Sequence, residues 1–151
     1  MMTILKAYGI PDELVRAIEI LYKDTRAKVI TPDVETEYFD IVAGVLQGDT
    51  LAPYLFIIVL DYVMRKVMTN NDNGFIVEER KSRRIPEIKV SDLDFADDIV
   101  LTANIINEAQ QLLKDVEIAA SKVGLHLNAK KTDVLIPNLV RKSKLSMISN
   151  I

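Results

Sequence analysis

Two adjacent carboxylates, Asp97 and Asp98, have the residue types and the spacing to do chemistry. They lie between two short apolar runs, with Leu93 and Phe95 before them and residues 99–101 after them. Short β-prone runs around a small acidic centre predict a strand–turn–strand hairpin. Such a hairpin would hold both carboxylates at its tip, where they could bind a divalent cation such as Mg²⁺ and support phosphoryl transfer.

An acidic turn can also be plain surface structure. Asp is common in turns because its side chain bonds to its own backbone, and structural acids outnumber catalytic ones. The hairpin residues alone leave both interpretations open, so the rest of the chain has to decide between them.

Length and composition indicate one folded domain. The chain has 151 residues, of which 49% are hydrophobic, which is enough for a core. The net charge of −3 gives no general attraction to nucleic acid, although 19 Lys and Arg residues could form a local basic face. Arg26 and Lys28 alternate with apolar residues and are expected to share one face, either solvated or in contact with a nucleic-acid backbone.

Cysteine is absent and His126 is the only histidine, which excludes disulfides, thiolate zinc sites and multi-histidine metal sites. The lack of cysteine fits an intracellular protein, with nucleus and cytoplasm not distinguished. The start has no pattern of a signal peptide, and the longest apolar run, residues 54–60, is too short to span a bilayer. No membrane partner is therefore expected.

Apolar periodicity predicts three helices and several strands. The helices are expected at residues 11–23, 51–68 and 108–123, with Asp49 or Thr50 capping the second and Asn104 or Asn107 capping the third. Besides the hairpin, the expected strands are residues 25–31, 35–42, 75–79, 84–90 and 132–136. Residues 70–74 are expected to form a polar turn, and the basic link at residues 80–83 a solvated turn.

These elements predict an α/β (α+β) fold. The expected architecture is an antiparallel sheet centred on the acidic hairpin, with helices packed on one face. Residues 1–137 would form the domain and residues 138–151 a polar, basic tail. Gly44 and Gly48 flank residues 45–47 in a loop that is either a connector or a surface that presents backbone N–H groups and Gln47 to a substrate.

Three motifs occur in a specific order along the chain. They are G-V-L-Q-G-D-T-L-A-P-Y-L-F at residues 44–56, F-A-D-D at residues 95–98 and G-L-H-L-N-A-K-K-T at residues 124–132. Together they resemble the reverse transcriptases of non-LTR retrotransposons and, more distantly, those of group II introns. The resemblance covers about residues 5–136 and implies an incomplete right-hand polymerase fold with a palm-like sheet.

The resemblance implies a role for each matched residue. Asp97 and Asp98 would be ligands of catalytic Mg²⁺, with Mn²⁺ as an alternative, and Phe95 and Ala96 would lie near the primer end. Gln47 and Gly48 would lie under the template–nucleotide pair. Lys131 would lie near the phosphates of the incoming nucleotide, where a positive charge or a general acid assists the leaving pyrophosphate. The implied partners are an RNA template, a DNA primer and deoxynucleoside triphosphates.

One carboxylate of the family's catalytic set is not found in this chain. It belongs to an earlier strand, and residues 1–10 contain no acid. The family's upstream fingers and downstream thumb are also not recognised. We therefore expect an internal palm piece that polymerises poorly or not at all by itself. The alternative is a non-catalytic palm remnant that binds nucleic acid weakly, or a protein-interaction module that self-associates through an open sheet edge.

Overall fold

The computed structural model describes residues 1–69 and 74–136. Most of the turn expected at residues 70–74 and the whole tail expected from residue 138 lie outside these residues. The helices and strands of the described part, in chain order, are α1 (Met2–Ala7), α2 (Asp12–Tyr22), β1 (Arg26–Ala27), β2 (Phe39–Asp40), α3 (Ala52–Met68), β3 (Phe75–Glu78), β4 (Ile88–Val90), β5 (Asp92–Phe95), β6 (Asp98–Leu101) and α4 (Ile106–Ser121).

The three predicted helices are confirmed to within about two residues at their ends. Pro11 is the residue before α2, and the acids Asp12 and Glu13 occupy the first turn, where they complement the helix dipole. Pro53 lies in the first turn of α3, where its missing N–H leaves no helical bond unmade. None of the described helices is long and apolar enough to cross a membrane.

Helix α1 is an addition to the sequence-based elements. Six residues are too few to show a helical period, but its end carries a recognisable signal. Gly9 has φ +75° and donates to the carbonyl of Lys6, and Ile10 donates to the carbonyl of Leu5. This left-handed glycine termination lets Ile4 and Leu5 become buried before the chain turns into α2.

The predicted mixture of helices and antiparallel strands is confirmed, but the strands of the described part form three separate two-stranded pairs. They pair as β1 with β2, β3 with β4, and β5 with β6. The last two pairs are joined at Thr102, whose N–H donates to the carbonyl of Ser91 and whose hydroxyl donates to that of Val90. The two hairpins therefore share a common base.

Several predicted strands are shorter in the structure or absent from it. The strands expected at residues 25–31 and 35–42 reduce to β1, β2 and an isolated bridge between Ile30 and Glu35. Residues 132–136 hold the bridge residue Val134 and no strand. Because Val29, Ile30 and Leu135 remain largely exposed, these segments lack the packing partners that stabilise a strand.

Two clusters of buried side chains hold the helices together. The first, here the Leu55 cluster, consists of Leu5, Val15 and Leu55 and joins α1, α2 and α3. The second, here the Met64 cluster, has a buried centre from α3 and α4 and a rim of partly buried side chains. Its centre is Leu60, Met64 and Val116, and its rim is Phe56, Val67, Met68, Ile99, Leu101, Leu125 and Leu127. Strand β6 and the segment after α4 are thereby fixed to the helices.

Candidate active site

The hairpin β5–β6 has the tight turn that the sequence predicts. Phe95 pairs with Asp98, which leaves only Ala96 and Asp97 in the loop. Ala96 has φ +54°, a left-handed conformation at the first central position that suits the right-handed twist of the strands. An alanine in this conformation is strained by about 1–2 kcal/mol. The chain therefore accepts a local cost to place Asp97 at the tip of the hairpin.

The base of this hairpin is fixed while its tip is open. Ile99 and Leu101 alternate along β6 and pack on the Met64 cluster. Asp97 and Asp98 are exposed, and Phe95 keeps 84% of its surface exposed. Within residues 1–69 and 74–136, no hydrogen bond or ion pair uses the carboxylates of Asp97 and Asp98, so their oxygens are available to an external ligand.

The strands around the tip carry a high density of negative charge. Asp92 and Asp94 precede the pair on β5. Burial raises the pKa of Asp94, and the charges of Asp92 and of Asp61 on α3 raise it further. The repulsion among Asp61, Asp92 and Asp94 makes this side of the hairpin negative next to α3.

The residues present fit a divalent metal that shares its ligands with a substrate. In the described part of the chain, no group of three or more His, Cys, Asp or Glu side chains is arranged to hold a metal ion. Mg²⁺ does not need such a cage, because it commonly uses one or two carboxylates together with substrate phosphates and water. Asp97 and Asp98 can supply those two carboxylates.

The loop that contains Gln47 and Gly48 lines a shallow groove of about 370 Å³ at the start of α3. Gly48 has φ +92°, and Gln47 is exposed. Asp49 fixes the loop, because one of its oxygens accepts from the Tyr22 hydroxyl at 2.6 Å and the other from the Leu51 N–H at 3.0 Å. The predicted cap of α3 by Asp49 or Thr50 is wrong, because no side chain caps this helix and Asp49 instead bonds to Leu51, the residue that precedes it.

A second tyrosine–aspartate bond ties the start of the chain to α3. The Tyr8 hydroxyl donates to Asp61 Oδ2 at 2.6 Å, and Arg65 Nε donates to the same oxygen at 2.7 Å. Burial and the bond to Asp61 raise the pKa of Tyr8 to about 12. The hydrogen bond from Tyr8 is the main reason that the pKa of Asp61 lies below its usual value. Sequence reasoning missed both tyrosine–aspartate bonds.

The stability contributed by the Tyr8–Asp61 bond is expected to depend on pH. A carboxyl whose pKa is lowered on folding contributes stability above its ordinary pKa of 3.8, and that contribution is lost as the pH falls through the folded value. Tyr8, with its raised pKa, contributes below pH 10 and loses its contribution as the pH rises toward about 12. Tyr8→Phe should therefore lower the melting temperature at pH 7, and by progressively less below about pH 4.

Tyr54→Phe is the matched control for this measurement, made by thermal unfolding across the pH range. Tyr54 is 66% exposed on α3, and none of the described residues accepts a hydrogen bond from its hydroxyl. We expect no change at any pH. A Tyr8→Phe difference that stays constant down to pH 3 would contradict the assigned role of Asp61.

Phe56 connects the glycine loop to the acidic hairpin. Its side chain lines the groove beside Gln47 and Gly48. The same side chain packs on the Met64 cluster, which also holds Ile99 of the hairpin. The two motifs therefore rest on one packed support, although they are about 50 residues apart in the sequence.

Lys131 belongs to the third motif, whose first residues pack on the Met64 cluster. Leu125 and Leu127 pack on the Met64 cluster. The chain then turns at Asn128, whose carbonyl accepts from the N–H groups of Lys131 at 2.9 Å and Thr132 at 3.0 Å. Lys131 is exposed, and no hydrogen bond or ion pair among the described residues joins it to the hairpin tip. Lys131 thus follows the residues that pack on the Met64 cluster by four positions and has no hydrogen bond or ion pair to the carboxylates among the described residues.

Asn104 has a different role from the predicted helix cap. Its side-chain amide donates to the carbonyl of Gly74 at 3.0 Å, which ties the end of β6 to the start of β3. Ile105 is the residue before α4, and no side chain caps this helix. Arg26 and Lys28, the residues of the predicted basic face, form ion pairs with Asp40 at 3.1 Å and with Glu35.

The three motifs that carry the resemblance to reverse transcriptases, at residues 44–56, 95–98 and 124–132, thus lie beside one packed cluster. The family model of reverse transcriptase (RNA-dependent DNA polymerase) matches residues 2–146. The chain belongs to this family, and the sequence-based interpretation as a reverse transcriptase domain of the non-LTR type is confirmed. Members of the family use divalent metal ions and act on nucleic-acid templates and nucleotides.

Curated relatives point to the same origin. The chain is 29% identical over 136 residues to a retrovirus-related Pol polyprotein from a type-1 R2 retrotransposable element of Nasonia vitripennis, covering 89% of this chain and 12% of that protein. It is 31% identical over 127 residues to the Pol polyprotein of the type-2 element R2DM of Drosophila melanogaster, covering 84% of this chain and 11% of that protein. The chain thus spans about one eighth of these relatives.

A shorter match concerns a transposon-derived protein of Caenorhabditis elegans. The two sequences are 43% identical over 61 residues, which is 40% of this chain and 22% of that protein.

Proposed function

We infer that this chain forms the metal-binding part of the palm of a retrotransposon reverse transcriptase. The observation that carries this proposal is the hairpin β5–β6. It carries Asp97 in a two-residue turn and Asp98 directly after it, neither carboxylate has a hydrogen-bond or ion-pair partner among the described residues, and the base of the hairpin packs on α3 and α4. A rigid base with free oxygens at its tip is suited to a cation that also binds a substrate phosphate.

Asp97 and Asp98 would hold Mg²⁺, which Mn²⁺ could replace, and each contributes carboxylate oxygens. When bound, the metal supplies charge neutralisation for the phosphates in phosphoryl transfer. Phe95 and Ala96 lie beside the pair and would contact the primer end. Ala96 orients Asp97, because its φ sets the direction of the chain in the turn.

The groove beside Gln47 and Gly48 would receive the pair formed by a template base and the incoming nucleotide. Its floor includes Ala52 and Phe56, and apolar side chains favour contact with flat base surfaces. Lys131 would add positive charge near the nucleotide phosphates once primer, template and nucleotide are bound. An RNA template, a DNA primer and deoxynucleoside triphosphates are the proposed partners.

The two carboxylates supply only part of the ligand set of a two-metal site. We therefore propose that the chain by itself polymerises weakly or not at all. A second candidate function is protein association. Each strand of the three pairs leaves one edge without a strand partner among the described residues, and Phe75 and Val77 of β3 are more than half exposed. Open edges favour pairing with another chain, which the mass in solution would reveal.

Divalent-metal binding at the hairpin is the direct test of the proposed site. Adding Mn²⁺ to the wild-type chain should broaden the NMR signals of residues 95–98 first, because paramagnetic broadening decreases steeply with distance. The variant Asp97→Asn/Asp98→Asn should lose this binding, because both charged ligands are removed.

The matched control for metal binding is Glu13→Gln/Glu19→Gln, which removes two exposed negative charges from α2. It should retain the broadening at the hairpin. Broadening that persists in the Asp97→Asn/Asp98→Asn variant would contradict the proposed metal site.

Primer extension on an RNA template, with Mg²⁺ or Mn²⁺, then measures catalysis. Little or no product from the wild-type chain is expected. Extension that the Asp97→Asn/Asp98→Asn variant abolishes would show that the two carboxylates suffice, and the proposal of weak activity would be wrong.

A further inference from the structure

The loop between β3 and β4 concentrates positive charge on a chain that is acidic overall. The loop runs from residue 79 to residue 87, and four of the five residues from 80 to 84 are basic. The whole chain, by contrast, has a net charge of −3. All residues of this loop are exposed. Here this segment is called the basic turn and consists of Arg80, Lys81, Ser82, Arg83 and Arg84.

The basic turn has a defined shape. The Ser82 hydroxyl oxygen accepts from the N–H groups of Arg84 and Ile85, each at 3.2 Å. The Ser82 N–H donates to the carbonyl of Ile85 at 3.4 Å. Serine bonds of this kind close a turn and reduce the conformations open to it. Arg83 and Arg84 therefore lie on a loop with a defined conformation.

The charged groups of the basic turn divide into two sets. Arg80 Nε donates to the Ser82 carbonyl at 3.3 Å, and Lys81 forms an ion pair with Glu78 at 3.2 Å. Arg83 and Arg84 have no hydrogen-bond or ion-pair partner for their guanidinium groups in the part of the chain that the structure describes. Two adjacent guanidinium groups thus remain available to an external anion.

The basic turn lies on the same stretch of chain as the acidic hairpin. Ser91 alone separates β4 from β5, and β4 begins at Ile88 while β5 ends at Phe95. The eight residues from Ile88 to Phe95 are joined by seven steps, which span at most about 23 Å. The basic turn precedes this short segment in the chain, and the acidic tip of the hairpin follows it. A nucleic acid whose end reached the carboxylates could extend its phosphate backbone toward the basic turn.

We propose that the basic turn is a binding site for the phosphodiester backbone of the bound nucleic acid, with Arg83 and Arg84 as its principal contacts. Planar guanidinium groups bind phosphate oxygens through two parallel hydrogen bonds, and backbone contacts of this kind position a nucleic acid without reading its sequence. The site lies outside the residues of the proposed active site. The inference rests on the proposed function, because it takes the ligand to be the template or the primer.

Salt-dependent binding tests this site on the full chain. Fluorescence anisotropy would follow a labelled single-stranded RNA and an RNA–DNA hybrid over a range of salt concentrations. Arg83→Gln/Arg84→Gln should weaken binding about tenfold and reduce the slope of log affinity against log salt by about two, because each phosphate contact contributes about one. A loss on the hybrid alone would identify the duplex as ligand, and a loss on RNA alone the single strand.

The matched control is Arg16→Gln/Lys23→Gln, which removes the same charge from exposed positions on and beside α2. It should leave the slope unchanged. Equal losses in the two variants would overturn the proposal, because general charge would then explain binding. An unchanged slope in Arg83→Gln/Arg84→Gln, or no binding by the wild-type chain, would also overturn it.

Arg83→Lys/Arg84→Lys keeps the charge and should retain the salt slope, which a purely structural role of arginine would not predict. Metal binding at Asp97 and Asp98 separates the two proposals. If the basic turn is not a binding site, the Mn²⁺ broadening at the hairpin is unaffected. If the proposed metal site is wrong, that broadening is absent whether or not the basic turn binds nucleic acid.

Discussion

Replacing Leu60 with alanine is expected to lower the free energy of unfolding by about 3 kcal/mol and to weaken metal binding at the hairpin. Leu60 is 8% exposed and belongs to the centre of the Met64 cluster. Its removal leaves a cavity beneath Ile99 and Leu101, the residues that fix β6. Urea unfolding would measure the loss of stability, and Mn²⁺ titration of the folded protein would measure the effect at the site.

Leu55→Ala provides a matched control on the same helix. Leu55 is 1% exposed and belongs to the other cluster, so its truncation should cost a similar free energy. It should leave the Mn²⁺ affinity of the folded protein unchanged, because this cluster does not contact β6. Leu60→Val makes a smaller cavity and keeps the comparison available if Leu60→Ala does not fold. Equal effects of Leu60 and Leu55 truncation on metal affinity would contradict the supporting role of the Met64 cluster.

The helices could be predicted because α2 and α4 carry apolar residues at helical spacing and α3 contains a long apolar run that packs into both clusters. In α3, the buried Leu55, Leu60 and Val63 recur at roughly helical spacing, and Pro53 and the preceding glycine loop indicate where the helix begins. Local pattern and tertiary packing agree at these positions. Sequence reasoning was therefore accurate for all three long helices.

The strands could be predicted less well because strand formation depends on neighbours that are distant in sequence. The hairpin β5–β6 is stabilised because Ile99 and Leu101 pack on the Met64 cluster. The β-prone residues 132–136 have no pairing that makes a strand, and Leu135 is 88% exposed. Propensity alone does not distinguish these two cases, because it reflects packing on a surface that the local sequence does not specify.

In the candidate site too, features set by contiguous residues could be predicted, whereas contacts between distant residues could not. The motifs identified Asp97, Asp98 and the loop at Gln47 from contiguous residues. The bonds from Tyr22 to Asp49 and from Tyr8 to Asp61 join residues that are 27 and 53 positions apart. No local pattern marks such a pair, because each side chain alone resembles an ordinary surface residue. These supporting contacts became visible only when the chain was folded.

Gly74→Ala is expected to destabilise the protein by about 3 kcal/mol, with its largest local effect at the base of the two hairpins. Gly74 has φ +155°, and an added Cβ would lie 2.9 Å from the Val90 carbonyl oxygen and 3.0 Å from Ser91 Oγ. The carbonyl oxygen belongs to the backbone of β4 and cannot move without disturbing its pairing with β3. Either Gly74 or the end of β4 must therefore shift.

The shift should extend toward the acidic hairpin, because the Gly74 carbonyl accepts from Asn104 and the next N–H, that of Phe75, donates to Thr102 Oγ1 at 3.4 Å. Hydrogen exchange of β5 and β6 would then accelerate, alongside the stability loss measured in urea. Gly9→Ala is the control. Gly9 has φ +75° but nothing within 4 Å of an added Cβ, so only backbone strain of about 1 kcal/mol is expected. Equal losses from both substitutions would contradict the predicted clash between an added Cβ at position 74 and the backbone of β4.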